Sequence, residues 1–171
     1  MTIHEIRELF IKELTMPSDK LKIAHPTIWN YGPQFVDYDE NGRLTLSFPI
    51  KHEQRNGYHL LQGGVLSSFI DDVFGLFVFV VSNHNPLSTV NMNVNYHKGV
   101  TPEIDHVLIT SSVIRAGRRI VTLEAEVRDP EGDLVATCQS NLFNVNKVKL
   151  SYLDSDTIAD IEMRTEHVQD N

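Results

Sequence analysis

A long apolar segment that opens on two glycines constrains the fold of this chain more than any other feature of its sequence. It begins at Gly63 and Gly64, carries an acid two turns later at Asp71, and stays apolar to Val81, after which turn-forming residues follow. The pattern predicts a helix over about residues 64–81. Because this helix is apolar on nearly all sides, we expect a sheet to wrap around it.

Strands are predicted both before and after this helix in the sequence. Residues 87–96 alternate apolar side chains with asparagines, which predicts a half-buried strand whose inward residues are Val90, Met92, Val94 and Tyr96. The full set of predicted strands is 34–38, 43–48, 87–96, 104–115, 118–128 and 134–145. Because the order contains no βαβ alternation, it predicts an α+β fold in which an antiparallel sheet curls around one central helix.

The ends of the chain are predicted to be short additions to one domain. Residues 2–14 have apolar side chains at helical spacing, and Thr2 with Glu5 fits a capping box. The 171 residues suffice for one domain with a core and are too few for two ordinary domains. We therefore divide the chain into an N-terminal helix (1–20), a main domain (21–147) and an acidic tail (148–171) with a short helix over 156–166.

Charge and composition exclude several classes of function. The net charge of -8 argues against a nucleic-acid binder, which needs a basic surface to neutralise phosphates. The single cysteine, Cys138, excludes an internal disulfide, and the eight histidines lack metal-ligand spacing, so we expect no metal and no cofactor. The N-terminus lacks a secretory pattern, and the longest apolar run is shorter than the roughly 20 residues that cross a bilayer. These features predict a cytoplasmic protein with no membrane partner.

The start of the long helix offers a place for developing negative charge. A helix N-terminus has N–H groups without intrahelical partners, and Gly63 and Gly64 let a ligand approach them. The pattern predicts an oxyanion hole for a carbonyl under attack, or alternatively two glycines that only allow close packing. Asp71, amid apolar residues, is costly to bury unless it is paired, hydrated or functional. It is therefore either a catalytic carboxylate or a structural acid that caps neighbouring backbone.

Gly64 and Asp71 are too far apart on one helix to act on the same carbonyl. Their backbones are separated by about 10 Å of helix, whereas reacting groups need contacts of about 3 Å. Two antiparallel copies of the helix across a two-fold axis remove this conflict, because one supplies the N-terminus and the other the acid. The residues therefore predict a homodimer, or a dimer of dimers, with shared sites.

A set of spaced elements resembles the hotdog-fold acyl-CoA thioesterases of the PaaI-like group. Asn56 stands seven positions before the first glycine, Asp71 seven after the second, and a Thr-Val-x-Met-Asn-Val strand and a Gly-Arg-Arg turn follow, all within about residues 34–145. The resemblance implies the hotdog fold and hydrolysis of an acyl-CoA substrate to a carboxylate and free CoA. One alternative is a noncatalytic acyl-CoA-binding or sensing protein, because a fold does not decide the chemistry. Another is a structural or interaction protein, which would bind no acyl-CoA.

The resemblance also implies roles for the matching residues. Asn56 would orient water or the thioester, and the Gly63 N–H would polarise the thioester carbonyl. Asp71 of the partner subunit would act as nucleophile or general base, with Thr89 positioning water. Asn56 is otherwise an ordinary turn residue beside a glycine, and Thr89 a good strand former. Gln62 and Gly64 would contact substrate; Gln62 stands where many relatives carry His, and it can still donate a hydrogen bond.

CoA carries phosphates, so we expect local positive charge even on an acidic protein. In the resembled family the turn around Gly117 borders the nucleotide, which makes Arg118 and Arg119 the expected phosphate contacts. Lys98 is a further candidate for this positive region. The alternative is that these arginines are solvated hairpin charges.

Overall fold

The computed structural model describes residues 2–15, 26–82 and 87–144. Its helices are α1 (Ile3–Thr15), α2 (Pro26–Tyr31) and α3 (Gly63–Val81), and a 3-10 turn spans His52–Gln54. Its strands are β1 (Gln34–Tyr38), β2 (Leu44–Pro49), β3 (Leu87–Tyr96), β4 (His106–Ala116), β5 (Ile120–Arg128) and β6 (Leu134–Asn144). The predicted helix over 156–166 lies outside the described residues, and the predicted domain boundaries stay a prediction.

The strands form one six-stranded antiparallel sheet in the order β1-β2-β4-β5-β6-β3, and α3 packs against it. β4, β5 and β6 form a meander, whereas β3 leaves chain order and pairs with β6 at the end of the sheet. β3 is therefore an edge strand, with a row of backbone groups on its outer side. The predicted α+β architecture, an antiparallel sheet around one central helix, is confirmed.

α3 supplies the centre of the core. Its aromatic residues Phe69, Phe74 and Phe77 are fully buried, and they join one cluster with inward-facing sheet residues such as Leu46 and Leu123. By length and composition alone α3 is apolar enough to cross a membrane, but 61% of its apolar window is buried inside the protein. This burial is what the core helix of a globular fold requires, because the sheet removes the apolar surface from water.

α1 closes one side of this core. The predicted capping box is confirmed, since Thr2 N–H donates to Glu5 Oε2 at 2.7 Å and Glu5 N–H donates to Thr2 Oγ1 at 3.3 Å. Phe10 is fully buried, with its ring centre 5.4 Å from Tyr38 and 6.1 Å from Phe77. α1 therefore packs directly against the long helix and the first strand.

β3 departs from the predicted alternation near its start. A bulge between Thr89 and Asn91 shifts its register against β6, and such a shift changes which side chains face the core. Val90, predicted to face inward, is 59% exposed, and Tyr96 at the other end is 52% exposed. Met92 is packed against the core as predicted. The bulge turns Thr89, rather than Val90, towards α3.

Two buried serines provide a test of the energetics of this core. Ser140 Oγ donates to the Asn91 carbonyl at 2.8 Å, whereas the buried Ser111 Oγ has no hydrogen-bond partner in the described part of the chain. A buried hydroxyl without a partner costs roughly 1–3 kcal/mol.

We therefore expect Ser111→Ala to leave the free energy of unfolding unchanged or to raise it by about 1 kcal/mol. The matched variant Ser140→Ala loses a satisfied hydrogen bond and is expected to lower it by about 1 kcal/mol. Urea denaturation followed by circular dichroism measures both values. An equal loss of stability in the two variants would contradict this account of Ser111.

Candidate active site

Gln62 caps the N-terminus of α3. Its Oε1 accepts the Val65 N–H at 2.7 Å, and its backbone carbonyl accepts the N–H groups of Val65 and Leu66 at 3.0 and 3.1 Å. Among the described residues, none accepts a hydrogen bond from the N–H of Gly63 or Gly64. The helix thus presents two unpartnered donors at its positive end.

Both glycines are also packed closely. A Cβ atom at Gly63 would lie 3.2 Å from Cζ of Tyr96, and one at Gly64 would lie 2.9 Å from Oε1 of Gln62. Close packing was the alternative to ligand access at these positions, and the structure contains it. The two explanations are compatible, because packing takes up the Cα side of each glycine and leaves the N–H groups without partners.

Tyr96 lies across the start of α3. Its hydroxyl donates to the Gly63 carbonyl at 2.7 Å and forms a second hydrogen bond, of 2.6 Å, with Ser67 Oγ. Sequence reasoning places Tyr96 only as a strand residue and gives Ser67 no role. Their contact depends on how β3 crosses α3, and neither sequence pattern shows it.

The structure brings Asp71 and Thr89 together within one chain. Thr89 Oγ1 donates to Asp71 Oδ1 at 2.9 Å, and Asp71 is half-buried. Burial raises the pKa of the nearby Cys138 thiol to about 12, a hydrogen bond with the Asn93 backbone offsets part of this rise, and the Asp71 charge adds to it. The thiol therefore stays protonated near neutral pH.

Asp71 and Gly63 are well separated within one chain. Asp71 lies eight residues along α3 from Gly63, which corresponds to about 12 Å of helix. Thr89, bonded to Asp71, lies at one end of β3 and pairs with Leu142, whereas Tyr96, packed on Gly63, lies at the other end. Within a single chain, the two predicted parts of the site therefore lie at opposite ends of the edge strand.

Asn56 shapes the loop that leads into α3. Its Oδ1 accepts the N–H groups of Tyr58 and Leu60 at 2.9 and 3.2 Å, and its own N–H donates to the Leu60 carbonyl at 2.8 Å. The turn role that was the alternative for Asn56 is therefore present. A contact with substrate through its side-chain amide stays a prediction.

Arg55 is a structural residue of this loop that sequence reasoning missed. Its guanidinium donates to four carbonyl oxygens, those of His59, Thr101, Pro102 and Ile104, at 3.0–3.5 Å. These bonds tie the loop before α3 to the connection between β3 and β4. Residues 51–62 are mostly polar, and their sequence gives no sign of this anchor.

Arg118 and Arg119 are exposed on the turn between β4 and β5. This turn lies at the same end of the sheet as the Asp71–Thr89 pair, because Ile120 pairs with Phe143, which in turn pairs with the residue before Thr89. The two arginines are therefore exposed at the same end of the sheet as the predicted acid. Their contact with phosphate stays a prediction.

Within one chain, Lys98 does not lie near these arginines. Its ammonium forms ion pairs with Asp129 and Asp133 at 2.7 and 2.6 Å, in the turn at the opposite end of β5. The hydrogen bond from Lys98 lowers the pKa of Asp129, against the effect of burial. With Glu131 these acids form a carboxylate group whose ligand atoms lie within 4.8 Å of one another, close enough for a cation. Lys98 supplies the positive charge there.

Comparisons with known proteins agree with this fold. The family model described as the thioesterase superfamily matches residues 58–136. A Saccharolobus solfataricus protein, provisionally named as an esterase, is 29% identical over 101 residues, which are 57% of this chain and 68% of that protein.

Two solved structures share the fold. A mutant form of the phenylacetic acid degradation protein PaaI from Thermus thermophilus has a TM-score of 0.61 at 18% identity, over 70% of this chain and 99% of that one. A hypothetical thioesterase from Streptococcus pneumoniae, solved with coenzyme A, has a TM-score of 0.60 at 19% identity, over 66% of this chain and 88% of that one. The predicted resemblance to hotdog-fold thioesterases is confirmed, and the matches support a hydrolase that cleaves thioesters.

Proposed function

We propose that this chain, with its hotdog fold and its match to the thioesterase superfamily, hydrolyses acyl-CoA thioesters to a carboxylate and free coenzyme A. The observation that carries the proposal is the hydrogen bond from Thr89 to Asp71, which holds a carboxylate on the central helix beside the edge of the sheet. The solved relative with coenzyme A supports this class of ligand. A cytoplasmic location stays a prediction.

The site in this proposal lies between two copies joined along β3. β3 is an edge strand, and a second β3 can pair with its outer backbone groups. In an antiparallel pair with the two-fold axis near the middle of the strand, Thr89 lies opposite Tyr96 of the partner subunit. Asp71 then comes to the same end of the joined sheet as Gly63 of the partner subunit. A homodimer suffices for this arrangement, and a dimer of dimers preserves it.

The proposed reaction uses the two predicted parts of the site for different tasks. Thr89 occupies Oδ1 of Asp71, which leaves Oδ2 either to take a proton from an attacking water or to attack the thioester carbon itself. The Gly63 N–H stabilises the negative charge that develops on the carbonyl oxygen. The carbon–sulfur bond then breaks, and CoA leaves as a thiolate, which needs no strong general acid. In the general-base route, Asp71 afterwards returns its proton to solvent. In the nucleophilic route, attack leaves a mixed anhydride on Asp71, and a water molecule hydrolyses it to release the carboxylate product and regenerate the Asp71 carboxylate.

Other polar residues are assigned to substrate binding. Gln62 Nε2 lies 3.3 Å from the position of a Cβ at Gly64, so it can act as a further donor beside the N–H groups of the helix start. Asn56 uses its Oδ1 within the loop, and its amide nitrogen is the group proposed to orient water or the thioester. Arg118 and Arg119 are proposed to contact the CoA phosphates.

The test is release of the CoA thiol from short, medium, long and aromatic acyl-CoAs, followed with a thiol reagent. We expect turnover of at least one class above the rate without protein. Binding of an acyl-CoA in calorimetry without any turnover would identify a noncatalytic acyl-CoA-binding protein instead. The absence of both binding and turnover would overturn the proposal.

A further inference from the structure

The hydroxyl of Tyr96 has a defined hydrogen-bond arrangement at the start of α3. Its single proton goes to the Gly63 carbonyl, so the proton in the 2.6 Å bond between Tyr96 and Ser67 comes from the serine. Ser67 stands four residues after Gly63, about one helical turn, so its backbone N–H is the α-helical hydrogen-bond partner of the same Gly63 carbonyl. Ser67 therefore holds the Tyr96 hydroxyl in place by a second hydrogen bond from α3, the same helix that carries Gly63.

This contact fixes the direction of one backbone donor. The carbonyl of Gly63 and the N–H of Gly64 belong to the same planar peptide and point in opposite directions. A bond to the carbonyl therefore also sets where the Gly64 N–H points. The neighbouring peptide is held separately, because the Gln62 carbonyl accepts two N–H groups of the first turn, and this sets the direction of the Gly63 N–H.

The ring of Tyr96 also borders the helix start. Its Cζ lies 3.2 Å from the position that a Cβ at Gly63 would occupy, yet the residue is 52% exposed. A tyrosine that is packed at its hydroxyl end and open over half its surface leaves part of its ring free for a ligand. A ligand that reaches the Gly63 N–H would meet this ring.

We propose that Tyr96, supported by Ser67, is a positioning residue that holds the Gly63–Gly64 peptide so that its N–H joins that of Gly63 in binding the thioester oxyanion. This proposal rests on the proposed function. It assigns the phenol a role in the transition state rather than in substrate binding, because the charge on the oxygen develops only as the carbonyl is attacked.

The experiment compares Tyr96→Phe and Ser67→Ala with the wild type on the acyl-CoA that the wild type turns over best. We expect kcat to fall about tenfold in Tyr96→Phe, less than the roughly 10²- to 10³-fold loss that follows removal of an oxyanion donor. KM is expected to change less than about twofold, and Ser67→Ala is expected to show a smaller loss of kcat in the same direction. The matched control is Tyr58→Phe, since Tyr58 is 85% exposed.

A second readout does not depend on turnover. In ¹H–¹⁵N spectra, we expect the Gly64 amide resonance to shift in Tyr96→Phe and to stay in place in Tyr58→Phe, with the other glycine resonances showing that the fold is kept. An active wild type with unchanged kcat and an unchanged Gly64 resonance in Tyr96→Phe would overturn the role of Tyr96 alone. A wild type that turns over no thioester would overturn the proposed function and this inference together.

Discussion

Asp71→Asn is expected to lower kcat for thioester hydrolysis by roughly 10²- to 10⁴-fold, the range for loss of a general base. The substitution keeps the size of the side chain, and its remaining oxygen can still accept the hydrogen bond from Thr89 that the structure shows at 2.9 Å. What it removes is the ability to take a proton or to attack the thioester carbon. KM is expected to change little, because the carboxylate acts on the transition state.

The control for this variant is Asp37→Asn. Asp37 lies on β1, at the opposite edge of the sheet from β3, and pairs with Arg7 at 2.8 Å on a partly exposed surface. Loss of this ion pair is expected to leave kcat unchanged, since exposed pairs contribute little to stability. Steady-state thiol release gives kcat and KM for both variants. If Asp71→Asn turned over substrate at the wild-type rate, the Asp71 carboxylate would have no part in the mechanism.

Local patterns predicted the fold because each element has a signal within its own residues. The apolar run of α3, the Thr2–Glu5 capping box and the alternation of the strands depend on neighbours in the chain. α2 was missed because its six residues are too few to show helical periodicity, although Pro26 suits a first helical position. The bulge between Thr89 and Asn91 was missed because the sequence alternates without interruption and only pairing with β6 reveals the shift.

The candidate site was predictable where it rests on residue type and spacing. Gly63, Gly64 and Asp71 stand out because two glycines leave a helix start open to a ligand, and a carboxylate in an apolar run is costly to bury. The partners of these groups were not predictable. Tyr96 reaches Gly63 across 33 positions of sequence, and such contacts depend on the path of β3 over α3. For the same reason the ion pairs of Lys98 could not be assigned from its position in the chain.

Mixing two inactive variants is expected to restore activity if the site is shared between subunits. Asp71→Asn removes the carboxylate, and Gly63→Val places a branched side chain where even a Cβ lies 3.2 Å from the Tyr96 ring. After random exchange, half of the dimers carry one chain of each kind, and one of their two sites has both intact groups. We therefore expect about a quarter of wild-type activity from an equimolar mixture of two inactive preparations.

The matched control places the same two substitutions on one chain instead of on two different chains. The double variant, carrying Asp71→Asn and Gly63→Val on one chain, is mixed with wild type under the same conditions. If each site is shared between subunits, both sites of every mixed dimer are inactive. Activity then falls to about a quarter of that of an all-wild-type sample. If each site is built within one chain, this mixture keeps about half of the activity of an all-wild-type sample, and the first mixture has no activity. Thiol release from both mixtures, with exchange confirmed by native mass spectrometry, therefore decides whether Asp71 and Gly63 of one active site come from different subunits.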